Sequence, residues 1–110
     1  MSTSPTTVTA LHDALAPAGP MTIKAMFGEY ALYMEGRVVA LICNDTLFIK
    51  PVPGAIAAMP DAGLAPPYPG AKPHLAARDA LDDPDPAIAA LRAAAREVPL
   101  PKPKKPKVRK

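Results

Sequence analysis

Proline sets the limits within which this chain must fold. Sixteen of its 110 residues are proline, about three times the usual share. A proline locks φ, donates no backbone hydrogen bond and breaks helix interiors, so regular elements have to fit between prolines. Ser4-Pro5 reads as an N-cap with proline at the first helical position. Val8, Leu11, His12 and Leu15 then trace one helical face, which Pro17-Ala18-Gly19-Pro20 must end. His12 sits at the boundary of that stripe.

Between Pro20 and Pro51 the chain reads as β-structure. Residues 22–27 alternate, with Ile23, Ala25 and Phe27 on one side, and Gly28-Glu29 interrupts them. A second run spans Tyr30 to Met34, a third Arg37 to Cys43 and a fourth Leu47 to Lys50, separated by Glu35-Gly36 and Asn44-Asp45. Short polar connections of this kind are hairpin signals, because Gly, Asn and Asp tolerate positive φ. Glu-Gly is a weaker turn pair than Asn-Gly, so a bulge is expected there. Together the runs describe an antiparallel meander that needs helices to cover one face.

Beyond Pro51, residues 54–59 suit a short helix with Ile56 and Met59 on one face, ended by Pro60. Pro66-Pro67-Tyr68-Pro69-Gly70-Ala71-Lys72-Pro73 should be extended and outside the sheet interior, and residues 74–78 form one more strand. Asp85 is the expected N-cap of a last helix with Pro86 in its first turn; Ile88, Leu91, Ala95 and Val98 mark one face, Arg92 and Arg96 another, and Pro99 ends it. The fold class is α+β: an antiparallel sheet of four or five strands with helices on one face. Of the hydrophobic residues, 22 are alanine, a poor filler of core volume.

The charge divides the chain in two. Lys102, Lys104, Lys105, Lys107, Arg109 and Lys110 form a tail of cations without an anion. Removing those six from the thirteen Lys and Arg leaves seven cations against ten anions, net −3, on residues 1–101. The domain is thus expected over residues 1–98, with a Pro/Lys-rich basic tail over 99–110 that has nothing to bury. An acidic body with few aromatics argues against nucleic-acid binding by the domain itself. The tail keeps that option open through phosphate contacts.

Other classes find little support. No apolar run approaches the ~20 residues of a membrane helix, and no secretory signal leads the chain. The single cysteine cannot form an internal disulfide, which fits a cytoplasmic protein. Cys43 ends the alternating run Val39, Leu41, Cys43 and reads as a packed strand residue rather than a nucleophile. Asp79, Asp82, Asp83 and Asp85 lack the glycine and glutamate of a calcium loop and read as a cap plus solvated charge. Phosphate-cradling glycine loops and dinucleotide fingerprints are absent from the sequence. No catalytic residue, cofactor or metal is expected.

The segment Met26-Phe27-Gly28-Glu29-Tyr30-Ala31-Leu32-Tyr33-Met34-Glu35-Gly36 resembles the MFG-x-Y-x-LY-x-x-G signature that opens TfoX N-terminal domains. Its family positions are Met26, Phe27, Gly28, Tyr30, Leu32, Tyr33 and Gly36. Residues 38–43 and 47–51 look like the next two strands of the TfoX/Sxy family, while residues 66–73, Leu81-Asp82-Asp83 and the ending from Pro99 to Lys105 are similar to its short, single-domain branch. The resemblance implies a two-layer, secretion-chaperone-like α+β fold that works by binding protein surfaces. TfoX and Sxy proteins regulate competence together with the cyclic-AMP receptor protein, and they carry a C-terminal domain for which these 110 residues hold no counterpart.

The expected function is a non-enzymatic protein-interaction module, in transcription or competence, with a protein partner or a second copy. Its expected surfaces are a free sheet edge and the platform that includes Tyr68, Pro69, Gly70 and Lys72. Nucleic-acid association through the tail and small-molecule binding are the alternatives.

Overall fold

A computed structural model describes residues 3–26 and 29–98. Helix α1 (Pro5–Leu15) starts as the sequence predicts: the Ser4 side chain accepts from the Thr6 N–H at 3.2 Å and Pro5 opens the first turn. A 3-10 turn over Ala16–Ala18 closes it, and Gly19 follows at φ 129°, a backbone geometry suited to glycine. Strands β1 (Thr22–Met26), β2 (Glu29–Met34), β3 (Arg37–Cys43) and β4 (Thr46–Ile49) form the expected meander. Then come α2 (Pro53–Ala58), β5 (Leu64–Ala65), β6 (His74–Ala77) and α3 (Pro84–Glu97).

The sheet has six strands in the order β1-β2-β3-β4-β6-β5, every neighbouring pair antiparallel. That exceeds the four or five strands the sequence suggests. The additional strand is β5, whose two residues pair with Leu75 and His74. Two residues are too few for any periodic signal, so β5 exists only because β6 offers it a partner.

The β2–β3 and β3–β4 turns have positive φ at their two central residues: Glu35 (53°) and Gly36 (79°), then Asn44 (51°) and Asp45 (58°). This is the type I′ geometry whose twist matches the strands it joins. The Glu-Gly turn carries no bulge, contrary to expectation; the register shift lies further along the same hairpin. Leu32 pairs with Ala40 and Tyr33 with Val38, which leaves Val39 as the inserted residue. The insertion corrects the reading of β3: Val39 packs in the main core with Ala40 and Ile42, while Cys43 belongs to a separate cluster with Phe48 and Ala76. One inserted residue breaks a strict period of two, and no composition signal marks it.

The main core lies between one sheet face and the helices. Leu32, Ile42, Leu47, Ile49 and Leu75 come from the strands and meet Leu11 and Leu15 of α1 and Leu91 of α3. Burying each such side chain contributes about 1.5–3 kcal/mol.

Helix α3 begins two residues earlier than expected. Its N-cap is Asp83, without a side-chain cap bond, and Pro84 opens it, while Asp85 lies in the first turn. The repeat Asp83-Pro84-Asp85-Pro86 offers two equivalent starts, and the first adds helix length. The buried residues are Ala87, Ala90, Leu91, Ala93, Ala94 and Ala95, with Ile88 only partly buried. Alanine here fills little volume but lets α2 come close. A Cβ placed on Gly54 would lie 2.8 Å from the Ala93 Cβ, and the Gly54 N–H donates to Glu97 Oε1 at 2.9 Å. In α2 the buried residue is Ala55, whereas Ile56 is 45% exposed. The expected Ile56–Met59 face therefore holds only for Met59, which packs partly buried on the core.

Candidate functional site

The best-anchored polar group is Glu29, at the start of β2. Its Oε1 accepts from the Thr3 N–H at 2.9 Å and the Thr3 hydroxyl at 2.6 Å, and its Oε2 accepts from the Asn44 N–H at 3.2 Å. The Asp45 N–H donates to Thr3 Oγ1 at 3.2 Å, and the Ser4 N–H to Asp45 Oδ1 at 2.7 Å. The segment leading into α1 is thereby tied to the β3–β4 turn. Thr3 is buried, so its hydroxyl needs these partners. Glu29 occupies a variable position of the family signature and Thr3 lies 26 residues away in sequence, which is why neither stands out in the sequence.

Cys43 ends β3 beside this network and is buried. Burial pushes its thiol pKa up, and the Glu29 charge pushes it further in the same direction. It is the packed strand cysteine that the sequence suggests, with its thiol held protonated rather than activated. Cys43, Glu29 and Asn44 form one wall of a cleft of about 410 Å³, and Pro66, Pro67, Tyr68 and Pro69 form the other.

The proline segment joins β5 to β6 and lies outside the sheet, as expected, but it is not extended throughout, because Gly70 lets the chain fold back in a tight turn. Tyr68-Pro69-Gly70-Ala71 is a type II turn: the Ala71 N–H donates to the Tyr68 carbonyl at 3.0 Å and Gly70 has φ 88°. Pro67 is buried, whereas Tyr68, Pro69, Gly70 and Lys72 are exposed. His74 follows, 8% exposed, with Nδ1 2.8 Å from the Lys72 carbonyl. A carbonyl only accepts, so Nδ1 carries the proton, and Nε2 is left buried without a partner among the described residues.

The family-motif residues divide by role. Leu32 is in the core and Gly36 is in a turn. Tyr30 packs on the main core, whereas Tyr33, on the opposite face, carries the Lys24 ammonium 5.4 Å from its ring centroid. Met26 ends β1, and Phe27 and Gly28 lie outside the described residues. So do the tail cations Lys102, Lys104, Lys105, Lys107, Arg109 and Lys110.

A second cleft, of about 380 Å³, opens between the C-terminal end of α2, β6 and the start of α3. Asp61, Arg78, Asp79 and Asp83 line it with apolar neighbours that include Met59, Ala76 and Ala87. Sequence reading separates Asp61 from the other acids; the turn after α2 brings it to them. Among the described residues no group of three or more His, Cys, Asp or Glu is placed to hold a metal ion. None of their helices is long and apolar enough to cross a membrane.

The fold and its surfaces define a class: an open antiparallel sheet with helices on one face, its edge strands β1 and β5 without a further strand beside them among the described residues. The model of the TfoX N-terminal domain matches residues 13–98, and the chain belongs to that family. A relative from Spirochaeta aurantia, described as an uncharacterised 12.7 kDa protein in the trpE 5′ region, is 31% identical over 109 residues, covering 99% of this chain and 95% of that one. No solved structure matches.

Proposed function

We propose that the chain is a non-enzymatic protein-interaction module of the TfoX N-terminal type, serving regulation of transcription or competence by accepting a partner strand at β1. The observation that carries this reading is the position of β1. All five residues, Thr22 to Met26, pair with β2, and β1 ends the strand order. Its outward backbone groups have no strand beside them among the described residues. Such an edge pairs readily with another extended chain. Thr22, Lys24 and Ala25 are exposed along it. Lys24 disfavours a strand bearing a cation opposite and favours one bearing an acid.

The test combines light scattering with affinity capture from the host, using the full chain and an Ala25→Pro variant whose fold is checked by circular dichroism. Expected is a partner, or a second copy, retained by the native chain and reduced at least tenfold by the variant. A strict monomer that captures nothing, or a partner retained equally by both, overturns the reading. The six cations of the tail support a second reading, association with nucleic acid through phosphate contacts.

A further inference from the structure

The net negative charge of the body is concentrated at one corner. Asp61, Asp79, Asp82, Asp83 and Asp85 are half of the ten acids in the chain. They lie in the turn after α2 and in the segment from β6 into α3, with Arg78 the one cation among them. That corner carries −4, while the remaining charges of residues 1–101, six cations against five anions, sum to +1. Three of these aspartates line the 380 Å³ cleft, whose other walls are mostly apolar. No ion pair engages these carboxylates among the described residues.

We propose that this groove is the docking site of the chain's own C-terminal tail, bound in cis. The tail matches it in charge, with six cations and no anion from Lys102 to Lys110. It matches in reach as well. The groove lies at the N-terminal end of α3, and the tail departs after Val98 at the other end. Fourteen helical residues span about 21 Å at 1.5 Å each. A proline-rich chain covers about 3.1 Å per residue, so Lys105 arrives at about 22 Å and the last residue at about 37 Å. Lys105, Lys107, Arg109 and Lys110 are then the cations that reach the carboxylates. Arg92 and Arg96 are exposed on α3 and repel this path, so the tail runs along the α2 side, where the exposed residues Pro53, Ile56 and Ala57 carry no charge.

The proposal is independent of strand addition at β1. It is tested by amide NMR on the full chain, comparing the native protein with a full-length variant in which the six tail cations are glutamine. At about 20 mM salt the amides of Gly63, Ala76 to Ala80 and Ala87 are expected to differ between the two. The differences collapse by about 0.5 M salt, where the screening length is a few ångströms. The triple variant Asp61→Asn, Asp79→Asn, Asp83→Asn is expected to release the tail resonances to the positions they hold at high salt. Superimposable groove amides at low salt overturn the proposal. Differences that fade on dilution also overturn it, because they would place the tail on a neighbouring molecule.

Discussion

Cys43 illustrates how much of a residue's chemistry depends on its neighbours. A thiol near the end of a strand is a nucleophile only if something favours the thiolate, and here burial and the Glu29 charge both favour the thiol. Iodoacetamide should therefore modify the native protein at pH 7.5 at least tenfold more slowly than the same protein in guanidinium. Comparable rates would show the site to be open. The linkage has a definite sign: the folded-state pKa is raised, so this thiol's contribution is intact below its ordinary titration range. It is lost as pH rises through the elevated value. Thr3 and Glu29 make the complementary case, two ordinary residues given a joint role by a contact across 26 positions.

Among the elements, α2 and α3 pack through small residues rather than large ones. Gly54 is required by proximity, not by backbone angle: a Cβ there lies 2.8 Å from Ala93. Gly54→Ala is expected to lower unfolding free energy by about 1–3 kcal/mol, the usual cost of overpacking, measured by urea denaturation. An unchanged midpoint would mean that α2 shifts without cost. The same logic explains why the alanine-rich β6 is a sound strand. Its four residues are all buried, Leu75 and Ala77 in the main core and Ala76 with Cys43 and Phe48. Alternating hydropathy is a signal of one buried face, so a short strand covered on both sides reads weakly in sequence.

For the molecule as a whole, the basic isoelectric point of about 9.2 describes the tail and not the surface of the domain. Retention on DNA, where it occurs, should be salt-sensitive and should vanish in the full-length variant with six tail glutamines, as read in a gel-shift assay. Equal retention by both chains would remove the tail from the nucleic-acid reading. Any docking of the tail at the acidic corner would compete with polyanions for the same cations.

What the sequence determined by itself is local. Pro5 and Ser4 started α1, and Asn44-Asp45 and Glu35-Gly36 turned the meander, because each needs only the φ preference of one or two residues. The family signature was legible for the same reason. Tertiary structure alone decided the inserted Val39, the pairing of Leu64–Ala65, the anchoring of Glu29 by Thr3 and the gathering of Asp61 with Asp79 and Asp83. Those features depend on which distant segments share a sheet or a corner. Their energies come from contacts that no stretch of contiguous residues contains.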